Sequence, residues 1–219
     1  MKINTDGVIL GALSVFSWSG SQGRVLDVGT GTGVIAMMLA QRFETAQIDA
    51  IDFDKSAAEA AGRNFSFSPY ADRLSVVFGD IASYSAVNGY DMIVSNPPFF
   101  VNDLKNPEKR KSMARHAGDD FFETLVCKSA ELLSENGVLW LILPVKQADL
   151  VVELGVLQGL HLVKVISIHS DVSKPVIRKV ICLGKVSGVV ELETFYIYEA
   201  EKVYTEGYRK LLKDFFLAF

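Results

Sequence analysis

The chain has 219 residues, 49% of them hydrophobic and 22% charged, which suffices for a substantial core and excludes a disordered segment. A formal net charge of −4 excludes a protein coated in positive charge, though not a local basic patch. Two cysteines and three histidines, none in metal-ligand spacing, exclude a disulfide framework and predict no bound metal and a reducing, cytoplasmic setting.

The first apolar run, GVILGALSVF (Gly7–Phe16), is too short to span a bilayer, and Asp6 stands where a signal peptide carries lysines. Neither a membrane partner nor a targeting segment is expected. Thr5 and Asp6 sit where a helix starts, and either serves as an N-cap. Beyond this helix, predicted over 2–18, strand-length apolar runs alternate with amphipathic stretches of helix length. RVLDVG (Arg24–Gly29), QIDAIDF (Gln47–Phe53), LSVVFGD (Leu74–Asp80), YDMIVSN (Tyr90–Asn96) and GVLWLILP (Gly137–Pro144) read as strands. VIAMMLAQR (Val34–Arg42), KSAAEAAGRNF (Lys55–Phe65), DFFETLVCKSAELL (Asp120–Leu133) and LVVELGVLQG (Leu150–Gly159) read as helices. LHLVKVISIHS (Leu160–Ser170) and VIRKVICLGKV (Val176–Val186) have no helix between them, so they predict an antiparallel pair. A final helix over 204–219 has apolar residues spaced for docking. The expected fold is α/β, one domain over 1–219, with a seven-stranded, mostly parallel sheet and helices on both faces.

LDVGTGTGVIA places Asp27 at a strand end, then Gly29, Gly31 and Gly33 before a helix. Glycines let a ligand approach the backbone, and the helix start offers N–H groups. Gly31-x-Gly33-x-x-Ala36 also fits a dinucleotide fingerprint, so a nicotinamide-dependent oxidoreductase stays open on the loop alone. Asp27, Asp52 and Asp80 end three successive strands. Singly each reads as a strand-end cap. Together they suit a cationic, amine-bearing ligand such as S-adenosylmethionine and repel a pyrophosphate.

With DVGTGTG, AIDFD, GDI and NPPF in this order, the chain resembles the Rossmann-like class I S-adenosylmethionine-dependent methyltransferases. The resemblance implies that Asp52 takes the ribose, that Asp80 lies by the adenine, and that S-adenosylhomocysteine is the product. Asn96-Pro97-Pro98-Phe99 then acquires chemical meaning. A planar exocyclic amine is a poor nucleophile, and acceptors on its N–H bonds help it pyramidalise. Asn96 Oδ1 and the Pro97 carbonyl offer two acceptors on a backbone stiffened by proline, and Phe99 offers a stacking face. The motif fits adenine N6, guanine N2 or a protein glutamine amide, and does not choose among them.

The polar stretch NDLKNPEKRKSMARH (Asn102–His116) brings Lys105, Lys109, Arg110, Lys111, Arg115 and His116 next to this corner, as phosphate contacts require. Arg178, Lys179, Arg209, Lys210 and Lys213 extend the basic set. TDGVILGA, NPPFF, ARH and YTEGYRKLLKDFFL together resemble the bacterial tRNA1(Val) (adenine-N6)-methyltransferases. That resemblance implies an enzyme acting on the adenine next to the anticodon of a valine tRNA, and a monomer is expected. It sets Thr5, Asp6 and Asn96 at the cofactor site, with Phe99 and Phe100 against the RNA. The family's short segment before Thr5-Asp6-Gly7 is missing, so residues preceding Met1 are expected. The NPPF form also resembles guanine-N2 rRNA enzymes, which remain an alternative alongside protein-glutamine methyltransferases.

Overall fold

The computed structural model describes residues 5–16, 22–98 and 119–216. Helices α1 (Thr5–Leu13), α2 (Val34–Arg42), α3 (Lys55–Ser66), α4 (Asp119–Leu132), α5 (Val145–Leu157) and α6 (Glu206–Leu212) surround the strands. These are β1 (Arg24–Val28), β2 (Gln47–Asp52), β3 (Leu74–Phe78), β4 (Tyr90–Ser95), β5 (Leu133–Leu143), β6 (His161–His169), β7 (Val176–Gly184), β8 (Glu191–Tyr196), β9 (Tyr198–Ala200) and β10 (Val203–Tyr204). Among the described residues no helix is long and apolar enough to cross a membrane.

Alternation along the central strands sets the layering. Met92 and Val94 of β4, Trp140 and Ile142 of β5 and Val180 and Cys182 of β7 pack into one apolar layer with α1, α2, α3 and α6. Ile93, Leu139, Leu141, Leu143, Ile181 and Leu183 point the other way, into a second layer with α4 and α5. The near-continuous apolar run Val138–Leu143 is thus a strand covered on both faces.

The main sheet has the order β3-β2-β1-β4-β5-β7-β6-β8. Among the described residues β7 alone runs against the others, flanked by β5 and β6 in antiparallel register. The mostly parallel sheet and the antiparallel pair are as expected, but the strand count is corrected from seven to eight. The added strand, β8, pairs in parallel with β6, Lys164 opposite Glu191. No crossover helix is needed for it, because the reversed β7 finishes at the same end of the sheet at which β6 and β8 begin. Its alternating glutamates suit a sheet edge, and Glu191 and Glu193 both reach Lys164, at 3.1 and 2.5 Å.

The chain leaves β1 for β2 on one side and later returns to β4 on the other. The carboxyl ends of β1 and β4 therefore frame a topological switch point, where open α/β sheets place their ligands.

Candidate active site

At the switch point the chain turns from β1 into α2 through three glycines with φ of +72° (Gly29), +60° (Gly31) and +84° (Gly33). Gly29 N and Gly31 N donate to Ile51 O and Asp52 Oδ2, each at 2.8 Å, so the loop is pinned to the end of β2. A Cβ at Gly33 would lie 2.4 Å from Phe65 Cε1 of α3, whereas one at Gly29 would meet nothing within 4 Å. Gly33 is small so that α3 can close in; Gly29, which itself lines the cleft, has open space where a Cβ would stand. Asn64 Nδ2 of α3 adds a bond to Thr32 O at 2.8 Å.

The three strand-end acids occupy different environments. Asp27 is enclosed beneath the loop, its Oδ2 accepting from Thr30 Oγ1 at 2.6 Å and Ala36 N at 3.2 Å. Its Oδ1 has no hydrogen-bond partner among the described residues. Burial pushes the Asp27 carboxyl up to about 7; the two hydrogen bonds oppose that rise, and the nearby charge of Asp52 adds to it. Asp52 lines the cleft with Oδ2 on Gly31 N and Oδ1 on Asp54 N at 2.9 Å, which leaves about half of its roughly four acceptor positions for a ligand. Asp80 also lines the cleft, exposed, and caps a short 3-10 turn by accepting from Ala82 N at 2.9 Å.

Across the switch point, Ser95 Oγ donates to Val28 O at 2.7 Å and brings the end of β4 against the loop. Asn96 follows half-buried, then buried Pro97 and exposed Pro98, and both prolines line the same cleft as Gly29, Asp52 and Asp80. Phe99, Phe100, Lys105, Lys109, Arg110, Lys111, Arg115 and His116 lie outside the described residues.

Thr5 is exposed at the start of α1, and Asp6 accepts from Arg178 Nε at 2.8 Å. Lys179 Nζ donates to Asp149 Oδ1 at 2.6 Å. Both basic residues of β7 are therefore engaged by carboxylates of the fold. The tail's basic residues do not gather at the cleft either. The chain beyond α6 reaches the far end of α2, where Arg42 lies 5.2 Å over the Phe215 ring and Gln41 Nε2 donates to Asp214 O.

Residues 11–153 match a family model described as the methyltransferase small domain. The chain is 48% identical over 219 residues to a Pedobacter heparinus protein named tRNA1(Val) (adenine(37)-N6)-methyltransferase, covering all of this chain and 92% of that one. A protein of the same name from Bacteroides fragilis is 36% identical over 220 residues, covering 99% and 91% of the two chains. This chain belongs to that methyltransferase family. A solved structure from Agrobacterium tumefaciens, described as a predicted O-methyltransferase, aligns with a TM-score of 0.70 over 96% of each chain. At 18% identity that likeness speaks for the fold alone.

The geometry of the methyltransferase adds residues that the sequence reading passed over. Ser95 fastens the two strand ends, and Asn64 and Phe65 fasten the loop from α3. Phe53 lines the cleft beside Asp52 while 64% exposed, and Phe121 reaches the same cleft from α4. Phe53 had a visible signal, an aromatic directly after the acid of AIDFD. Phe121 had none, because its neighbour in the cleft is far away in sequence.

Proposed function

We propose that this methyltransferase transfers a methyl group to N6 of an adenine in tRNA, the adenine next to the anticodon of a valine tRNA. The observation that carries the reading is the position of Ser95, Pro97 and Pro98, on either side of Asn96, lining one cleft with Gly29 and the strand-end acids Asp52 and Asp80. The names of the full-length relatives supply the substrate.

The methyl donor is S-adenosylmethionine, which when bound supplies an electrophilic methyl group on a positively charged sulfur. The residues present fit it. Open space at Gly29 admits a ligand against the backbone. Asp52 has acceptor capacity left for the ribose hydroxyls, and Asp80 stands by for the adenine amino group. The buried, unpartnered Oδ1 of Asp27 calls for a proton or a cationic donor, and the ligand's ammonium group is such a donor. In the same reading, as the family resemblance implies, Thr5 and Asp6 border that site.

On the substrate side, Asn96 Oδ1 and the Pro97 carbonyl accept the two N–H bonds of the adenine amine and free its lone pair for attack. Pro97 and Pro98 hold those acceptors still, so the chain contributes mainly alignment. Methyl transfer leaves a positively charged, acidic nitrogen that gives its extra proton to water, so no general base is needed. Phe99 and Phe100 stack on the extruded base, while Lys105, Lys109, Arg110, Lys111, Arg115 and His116 contact RNA phosphates. In the same reading, residues 1–219 form one methyltransferase domain, monomeric and cytoplasmic, whose reaction uses no metal.

Transfer of a labelled methyl group to total tRNA, followed by nucleoside analysis, tests the proposal. N6-methyladenosine is expected. N2-methylguanosine, or unlabelled tRNA, overturns it.

A further inference from the structure

Arg178 and Asp6 are 172 residues apart in sequence, yet Arg178 Nε donates to Asp6 Oδ2 at 2.8 Å. The two side chains are 30% and 20% exposed, so salt screens this pair less than a surface one. Arg178 is itself steadied where its Nη1 donates to Ile177 O at 2.8 Å. Asp6 lies in the first turn of α1, where a carboxylate also suits the helix N-terminus.

Two contacts further along α1 locate that turn. A Cβ on Gly11 would lie 3.0 Å from Met38 Sδ, and Arg42 Nη1 donates to Ser14 O at 2.9 Å. Helix α1 therefore runs beside α2 in the same direction, and carrying that pairing back along the two helices puts Asp6 level with Gly33 and Val34, where the glycine loop enters α2. Residues Gly7 through Ala12 are all buried, so α1 has apolar neighbours all round. Close packing holds Gly7–Ala12, whereas Thr5 is exposed and Asp6 only half-buried at the start of the helix. Polar bonds fix it at each end, from Arg42 at the carboxyl end and from Arg178 at the amino end.

We infer that Arg178 is a positioning residue for cofactor binding: through Asp6 it holds the first turn of α1 at the glycine-loop end of the cleft. Neither side chain then needs to touch the cofactor or RNA. The inference rests on the cofactor cleft of the proposed function and is independent of tRNA being the substrate.

Calorimetric binding of S-adenosylhomocysteine to the full chain tests it without any RNA, so it stays readable if tRNA proves not to be the substrate. Arg178→Ala and Asp6→Asn should each weaken binding by about tenfold, the scale of one shielded charge-assisted hydrogen bond. The double variant should bind no worse than either single one, because both remove the same interaction. Arg178→Lys and the exchanged pair Asp6→Arg/Arg178→Asp should recover most of the affinity. Additive losses overturn the inference, and so does a folded exchanged pair that stays weak, since Asp6 would then contact the ligand itself. Unchanged affinity in Arg178→Ala, with a lowered melting temperature or weakened tRNA binding, overturns it as well. Should Arg178→Ala not fold, the exchanged pair decides between these outcomes.

Discussion

Ser95 Oγ donates to Val28 O at 2.7 Å, so β4 and β1 are bonded at their tips by a side chain in addition to their ladder, in which the same two residues are partners. The bond sets the distance between the glycine loop and Asn96, and hence between the two reactants. Ser95→Ala leaves a buried carbonyl with one bond fewer, a loss of about 1–2 kcal/mol. The expected result is a lower urea midpoint and a several-fold fall in kcat, with little change in cofactor affinity. A kcat equal to wild type would show that Asn96 is held without this bond.

Asn96→Ala should reduce kcat by about two to three orders of magnitude, the usual scale for removing a polar group aimed at the reacting centre. The Kd for S-adenosylhomocysteine should stay within about twofold, because Asp52 and the loop are untouched. Single-turnover kinetics and calorimetry separate the two quantities. A collapse of cofactor affinity would assign Asn96 to the cofactor wall instead.

The strands and the loop were legible because their signals are local. Apolar runs of strand length fix the layers, and Gly29, Gly31 and Gly33 announce a backbone with positive φ. Strand-end position placed Asp52 and Asp80 in the cleft. It also put Asp27 at a strand end, but not the fact that Asp27 turns under the loop toward Thr30 and Ala36. That orientation is set by packing, which no spacing encodes. Arg178 read as part of a basic patch because its partner, Asp6, is at the opposite end of the chain. Strand β8 was hidden for a related reason. Glu191 and Glu193 look like loop residues until Lys164 of the neighbouring strand is beside them.

Asp27 gives the apo-protein a pH signature. Its folded value near 7 lies above the ordinary 3.8, so between those limits the folded chain holds a proton that the unfolded chain releases. Its contribution is complete below 3.8 and lost as the pH rises toward 7, on the order of 4 kcal/mol in total. Urea midpoints should therefore decline over this window, and Asp27→Asn should flatten that component. A cationic ligand reverses the preference by favouring the ionised carboxylate. The affinity for S-adenosylhomocysteine should rise by up to about tenfold per pH unit below 7 and level off above it. An affinity independent of pH between 5.5 and 8 would remove Asp27 from the role of counter-ion.

Two glycines of the loop should fail in different ways. Alanine at Gly33 meets both a φ of +84° and the Phe65 ring at 2.4 Å. Strain and overlap together predict a loss of several kcal/mol, visible as a lower melting temperature. Alanine at Gly29 meets only the strain of φ +72°, about 1–2 kcal/mol, because nothing lies within 4 Å. Its methyl group would instead occupy the space a ligand uses. Gly29→Ala should stay folded and bind S-adenosylhomocysteine at least about tenfold more weakly, the cost of a methyl group forced into a filled contact. Equal thermal losses with normal binding in Gly29→Ala would move the cofactor away from this face of the loop.

Salt dependence tests the RNA side of the reading. Each lysine or arginine that neutralises a phosphate adds about 0.7 to the slope of log affinity against log salt on single-stranded RNA. Replacing Lys109, Arg110 and Lys111 by alanine together should therefore reduce that slope by about 2 and weaken tRNA binding, with cofactor affinity unchanged. Filter binding at several salt concentrations gives the slope directly. Arg178→Ala, its guanidinium already engaged by Asp6, should leave the slope as it is. A slope that falls with Arg178→Ala and not with the triple variant would move the RNA contacts from the segment after Phe100 to the rim formed by β7.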